Sequence, residues 1–95
     1  MWDKVFKKNE SIVSRKIADE MFLVPIRGNL ADMQKIFSLN PVAEYIWQQL
    51  DGERNLEDIR EGVLSAFDVS KNEADEDISE FVGKLLEADL INEVA

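Results

Sequence analysis

The sequence predicts a single α+β domain, in which a small three-stranded antiparallel sheet is followed by three helices. The chain has 95 residues, of which 45% are hydrophobic and 33% charged, and this composition is typical of one globular domain with a modest core. Short apolar runs and alternating polarity in the first third of the chain indicate strands. Beyond residue 40 the apolar spacing lengthens to that of amphipathic helices. We therefore assign residues 1–95 to one α+β domain.

Three strands are predicted before the first helix. Ile12–Ile17 shows partly alternating polarity, and Met21–Val24 is a continuous apolar run, typical of a strand that is covered on both faces. A loop then leads to a third strand, Lys35–Leu39. Alternation along this strand directs Phe37 and Leu39 to one face. We expect an antiparallel meander.

Three helices are predicted, each with its own start signal. Asn40-Pro41 combines a favoured N-cap with the residue that is best tolerated at the first helical position. Asn55 begins the second helix, and Ser70 with Glu73 predicts a reciprocal capping box at the third. The short connection between the second and third helices indicates a helix-turn-helix pair beside the sheet, which is a winged-helix-like arrangement. The predicted apolar faces are Val42, Ala43, Ile46, Trp47 and Leu50; Leu56, Ile59, Val63 and Phe67; and Ile78, Phe81, Val82 and Leu85, with Leu86 at the margin of the last face.

The sequence contains no cysteine and no histidine. Disulfides, thiolate nucleophiles, imidazole acid–base chemistry and zinc sites built from these residues are therefore excluded. The remaining carboxylates, lysines, serines and Tyr45 form no recognisable nucleophile–base pair. We expect a protein that is not an enzyme and has no cofactor or metal.

The net charge of −9 is distributed unevenly along the chain. Residues 1–30 hold six basic and four acidic side chains, whereas residues 31–95 hold five basic and sixteen acidic ones. An acidic surface repels the phosphate backbone, and the predicted third helix is acidic where a DNA recognition helix would be basic. These charges argue against nucleic acid as a partner.

The chain shows no pattern for membrane insertion or export. No apolar run approaches the roughly 20 residues of a membrane helix, so no membrane partner is expected. Lysines near the amino-terminus are not followed by the apolar run of a signal peptide, and we expect a cytoplasmic location. We expect residues 1–10 to be a frayed end or a partner contact.

An ordered set of motifs covering roughly residues 12–91 resembles the PqqD family. The central part, residues 39–52, is similar to the family signature "LN-x-x-A-x-x-I-W … L-D-G". Upstream, Val13–Lys16 and Leu23-Val24 are similar to the two strands that open the family. Downstream, the pattern continues with Leu56-x-x-Ile59, Phe67-Asp68-Val69-Ser70, Asp77-Ile78-x-x-Phe81-Val82-x-x-Leu85 and Leu90-Ile91.

This resemblance implies a non-catalytic peptide chaperone. PqqD-like domains bind the leader of a ribosomally made precursor peptide and present it to a maturation enzyme, which in pyrroloquinoline quinone biosynthesis is a radical SAM enzyme. The leader adds as a strand beside the third strand, in a cleft bounded by the third helix. An open sheet edge suits this mode because it offers unpaired N–H and C=O groups. The implied peptide-binding residues are Lys35, Ile36, Phe37, Ser38 and Leu39 on the strand, and Asp77, Ile78, Phe81, Val82, Lys84 and Leu85 on the helix.

The sequence leaves open two alternatives to a peptide chaperone, and it leaves the oligomeric state open. A winged-helix-derived adaptor could bind a protein partner without presenting any peptide, and a DNA-binding regulator is disfavoured by the acidic third helix. The protein is expected to be either a monomer or a strand-exchanged dimer, since an exposed edge and a neighbouring loop permit exchange between chains.

Overall fold

The computed structural model describes residues 1–10, 12–25 and 37–94. Within these ranges the chain forms six strands, arranged in two antiparallel sheets, and three helices. The predicted α+β class, with a three-stranded antiparallel sheet and three helices, is confirmed. In chain order the elements are β1 (Val5–Lys8), β2 (Ile12–Ile17), β3 (Glu20–Pro25), β4 (Phe37–Leu39), α1 (Pro41–Gln49), β5 (Asp51–Asn55), α2 (Leu56–Ala66), α3 (Lys71–Glu87) and β6 (Ile91–Glu93).

The predicted meander forms one sheet with the strand order β2-β3-β4. Strands β2 and β3 pair along all six residues of each strand. Their connecting residues, Ala18 and Asp19, have φ values of 52° and 67°, and positive φ at both positions is what a type I′ hairpin turn requires. The hairpin therefore continues the right-handed twist of its strands without a longer loop.

Strand β4 forms one edge of this sheet. It pairs antiparallel with β3, with Leu39 opposite Met21 and Phe37 opposite Leu23. No other strand of the described ranges pairs with it. The predicted third strand began at Lys35, but residues 35 and 36, like the preceding loop, lie outside the described residues.

The second sheet, with the order β5-β1-β6, was not predicted. Its central strand belongs to the amino-terminal segment, so the expected frayed end is wrong, and Phe6 is buried in the core. The carbonyl oxygens of Trp2 and Lys4 accept hydrogen bonds from the N–H groups of Glu57 and Leu56, at 3.0 and 3.1 Å. Since N–H groups in the first helical turn have no partner within the helix, the amino-terminal segment completes the start of α2.

The helix starts agree with the sequence except for one cap. Asn40 accepts a hydrogen bond in the first turn of α1, and Asn55 and Asp58 form a reciprocal capping box at α2. At α3 the Ser70 hydroxyl accepts a hydrogen bond from the backbone N–H of Glu73. The Glu73 carboxylate accepts a hydrogen bond from the Ser70 hydroxyl, at 3.2 Å, rather than from the Ser70 backbone N–H. The reciprocal box predicted at α3 is therefore only half formed.

The core contains residues from all three helices and from both sheets. Trp47 is 3% exposed, which confirms its assignment to the core. None of the described helices combines the length and apolar character needed to cross a membrane. Of the positions predicted to be covered, Leu86 is 44% exposed. The buried predicted positions are Met21, Leu23, Leu39, Ile46, Trp47, Leu50, Leu56, Ile59, Val63, Ile78, Val82 and Leu85.

Candidate functional site

A groove of about 200 Å³ separates the edge strand β4 from helix α3. Strand β4 and the N-cap of α1 line one side, α1 contributes apolar side chains, and α3 lines the other side. We call this the β4–α3 groove. Its lining residues are Phe37, Ser38, Leu39, Asn40, Val42, Ala43, Ile46, Asp77, Glu80, Phe81 and Lys84.

The groove continues toward the carboxyl-terminal end of α3. A second opening is lined by Phe37, Lys84, Glu87 and Ala88. Because Phe37 and Lys84 border both openings, the beginning of β4 lies beside the carboxyl-terminal half of α3. The two openings together follow α3 over about three turns, from residue 77 to residue 88.

Several residues predicted for the site do lie together in this groove. Phe37 and Phe81 are partly buried, and Ser38, Asp77 and Lys84 are exposed. Leu39 is buried, so the predicted contact at this position is through its backbone. Residues 35 and 36 lie outside the described residues. The predicted residues that line the groove are Phe37, Ser38, Leu39, Asp77, Phe81 and Lys84.

Three predicted site residues, Ile78, Val82 and Leu85, belong to the core. Each is at most 1% exposed, so none of these side chains forms the groove wall. The reason is helical geometry, because each follows directly after a groove residue of α3, and one residue rotates the helix by about 100°. The groove stripe and the core stripe are therefore neighbours on one helix, and the prediction combined them.

Five residues of the first opening, together with Glu87 and Ala88 of the second, were missing from the predicted set. Val42, Ala43 and Ile46 were assigned to the apolar face of α1, which is correct, but that face also extends into the groove. Asn40 was recognised only as a helix cap. Glu80 carried a usable signal, because it lies three residues after one predicted groove residue and four before another, on the same helical face.

The polar groups of the groove lie along α3 and at the edge of β4. Glu80 and Lys84 form an ion pair with an oxygen–nitrogen distance of 3.0 Å. On the sheet side, the Ser38 hydroxyl donates a hydrogen bond to Glu20. A strand edge that no other described strand pairs with, beside an apolar cleft with a polar rim, has the features that accept an extended chain segment.

The described part of the chain contains no group of three or more histidine, cysteine, aspartate or glutamate side chains placed to hold a metal ion. The side chains of the groove can instead form hydrogen bonds, ion pairs and apolar contacts. These are the interactions of a binding site.

Comparison with known proteins gives one family match and two similar structures. Residues 20–91 match the model of the PqqD family, described as coenzyme PQQ synthesis protein D. A structure of "TbiB1 in Complex with the TbiA(beta) Leader Peptide" is 24% identical, covers 94% of this chain and 98% of its own chain, and has a TM-score of 0.72. A structure of "Lasso peptide synthetase B1 complexed with the leader peptide" is also 24% identical, covers 92% and 96%, and has the same TM-score of 0.72. No curated protein matched the sequence.

Proposed function

Because this chain belongs to the PqqD family, we propose that it is a peptide chaperone that binds the leader segment of a ribosomally made precursor peptide. In this proposal the leader adds as a strand to β4 and fills the β4–α3 groove. The chaperone then presents the peptide to a maturation enzyme. The observation that carries the proposal is the edge of β4, which no described strand covers and which borders the groove.

Strand addition accounts for both affinity and selection. The backbone of β4 offers N–H and C=O groups, and each hydrogen bond to a peptide adds about 0.5–1.5 kcal/mol net. Alternate side chains of the peptide would face the groove, where Phe37, Val42 and Phe81 supply apolar contact. Ordering a flexible leader costs several kcal/mol, so we expect moderate affinity.

The comparisons support this proposal through the fold. Both similar structures are described as complexes with a leader peptide. The same fold in this chain brings β4, α1 and α3 together around a groove.

For the maturation enzyme, we propose a radical SAM enzyme, as in pyrroloquinoline quinone-type biosynthesis, because the family match is to a coenzyme PQQ synthesis protein. We also propose that the chain itself is non-catalytic, which its lack of histidine and cysteine supports. Since precursor peptides are made on ribosomes, the protein would act in the cytoplasm.

The proposal is tested by titrating the ¹⁵N-labelled full chain with peptides encoded beside its gene. We expect chemical-shift changes concentrated on residues 37–39 of β4 and on the groove residues of α3, including Phe81. No changes with any of these peptides, together with binding of an intact neighbouring enzyme, would favour an adaptor that presents no peptide.

Strand addition is tested separately by N-methylation of the bound peptide. Successive N–H groups of a strand point to opposite sides. Methylation at the positions that face β4 should therefore weaken binding about tenfold or more, whereas methylation at the intervening positions should have little effect, although the side chains are unchanged. Equal tolerance at both sets of positions would contradict strand pairing.

A further inference from the structure

We infer that the β4–α3 groove selects leaders that carry two basic side chains, four residues apart, with an apolar side chain between them. This inference rests on the proposed function and concerns the chemistry of the bound peptide. It depends on the charges along one side of the groove. We call the four charged residues of α3 that border the groove the α3 rim: Asp77, Glu80, Lys84 and Glu87.

The α3 rim is neutral at its centre and negative at both ends. Glu80 and Lys84 neutralise each other at 3.0 Å. Asp77 and Glu87 are exposed, and no ion pair to either is found among the described side chains. A peptide in the groove therefore meets one uncompensated carboxylate near each end of the rim.

The spacing of Asp77 and Glu87 along the axis of α3 is close to the span of four residues of an extended peptide. Glu87 follows Asp77 by ten positions of helix, which corresponds to about 15 Å along the helix axis at the usual rise. Four residues of a strand span about 13–14 Å. Because side chains alternate along a strand, residues four apart face the same side, and so does the residue midway between them.

The middle of the groove favours an apolar side chain. Phe81 lies on α3 between the two carboxylates, and Val42 and Ala43 of α1 line the same cavity. A charged side chain here would lose water without gaining a free counter-charge, since the nearby Glu80 and Lys84 already pair. The expected groove-facing pattern is therefore basic, apolar, basic at alternate positions.

The contribution of each basic side chain of the peptide to its affinity follows from the exposure of the carboxylates. Exposed ion pairs are weak and screened by salt, so each should change the dissociation constant by no more than about fivefold. Strand pairing and the apolar contact would still provide most of the affinity.

The inference is tested by selecting binders for the full chain from a display library of random twelve-residue peptides at low ionic strength. We expect lysine and arginine to be enriched at two positions four residues apart, around an enriched apolar residue. The same selection with the Asp77→Asn, Glu87→Gln double variant should lose the basic enrichment and keep the apolar one. A matched control, Glu53→Gln with Glu61→Gln, changes the net charge equally at exposed positions that do not line the groove, and it should keep both enrichments.

The outcomes separate this inference from the proposed function. Binders with no basic enrichment, or with equal enrichment in the double variant, would overturn the inference and leave a peptide-binding groove in place. Recovery of no peptide, or of peptides whose binding leaves the β4 and α3 signals unchanged, would overturn the proposed function and the inference together.

Discussion

At the scale of single residues, two helical glycines have opposite surroundings. A Cβ atom added to Gly62 of α2 would lie 3.1 Å from Cζ of Tyr45 and closer still to its hydroxyl oxygen. The Tyr45 ring is itself packed edge-to-face on Phe67, with 5.7 Å between the ring centroids. Gly83 of α3 is exposed, and a Cβ added there would meet no atom within 4 Å.

These surroundings predict opposite effects for the same substitution. Gly83→Ala should raise the free energy of unfolding by about 0.5–1 kcal/mol, because alanine loses less backbone entropy in a helix. Gly62→Ala should lower it by about 1 kcal/mol, because the cost of overpacking exceeds this gain. Urea unfolding of the two variants measures both changes. Equal stabilisation would mean that Tyr45 moves aside freely.

The side chain of Lys8 lies at the carboxyl-terminal end of α1. Helix α1 has no basic residue in its last turn, and the Lys8 ammonium group donates to the carbonyl oxygen of Leu50 at 3.1 Å, 5.5 Å from the centre of the Trp47 ring. Burial lowers the pKa of Lys8, and the charge of Asp51 partly offsets this. A cation from β1 therefore stabilises the carboxyl-terminal end of α1.

Removing this cation should destabilise the fold. Lys8→Met keeps most of the aliphatic stem and should lower the free energy of unfolding by about 1 kcal/mol, through loss of the charge at the helix end and over the indole ring. Lys7→Met, at the exposed neighbouring position, is the control and should have little effect. Thermal and urea unfolding of both variants compare them directly; equal changes would contradict the role of Lys8.

At the scale of elements, one cluster connects the amino-terminal segment with α2 and α3. The Arg60 guanidinium lies 4.7 Å from the centre of the Trp2 ring. It also donates to the Asp75 carboxylate at 3.1 Å, and Lys71 donates to the same carboxylate at 3.2 Å. The cluster therefore joins Trp2 of the amino-terminal segment to Arg60 of α2 and Asp75 of α3.

The protonation state of Asp75 should couple this cluster to pH. Burial raises the pKa of Asp75, but the hydrogen bonds from Arg60 and Lys71 outweigh it and hold the pKa below the ordinary value of 3.8. A lowered pKa in the folded state stabilises the fold above the unfolded-state pKa, and this stabilisation is lost as the pH falls through the folded-state pKa. Asp75→Asn should therefore be less stable than the parent at pH 7, and the difference should shrink toward pH 2.

This pH dependence is measured by urea unfolding between pH 7 and pH 2. Asp3→Asn, at an exposed position near the amino-terminus, is the matched control. The free energy of unfolding of the Asp75 variant should differ from that of the parent by an amount that changes with pH. A constant difference over this range would contradict a contribution from the ionised carboxylate.

At the scale of the whole molecule, the β2-β3-β4 sheet has two edges with different surroundings. The β4 edge borders a groove, whereas β2 pairs only with β3 among the described strands. Strand β2 exposes Arg15 and Lys16 together with Ile17, which is 62% exposed. Charged side chains on an edge strand oppose pairing with a second copy, because like charges would meet across the new pair.

This arrangement predicts a monomer whose β2 edge is protected by charge. The Arg15→Thr, Lys16→Thr double variant should form dimers or larger assemblies at concentrations at which the parent stays monomeric, as measured by sedimentation equilibrium. The matched control is Lys4→Thr with Lys7→Thr, which makes the same change in charge at exposed positions outside β2 and outside the groove. A monomeric β2 variant would mean that the edge is protected in another way, and a dimeric parent would favour strand exchange.

The sequence by itself determined the helices, the β2–β3 hairpin and the family. Helix boundaries follow from local chemistry, because an N-cap such as Asn40 or Asn55 acts within one turn of its own position. Apolar periodicity likewise identified the buried faces, and Trp47 lies where its spacing predicted. These features depend on neighbours a few residues away, so they can be recognised without the fold.

Only the tertiary structure decided the second sheet and the two faces of α3. Strand β5 consists of Asp51, Gly52, Glu53, Arg54 and Asn55 and has no apolar alternation; it is a strand because β1, more than forty residues away in sequence, pairs with it. Phe81 and Val82 are adjacent and apolar, yet one lines the groove and the other lies in the core. Periodicity defines an apolar face of a helix, but packing against the sheet and the other helices determines which part of that face is buried and which part remains open to a peptide.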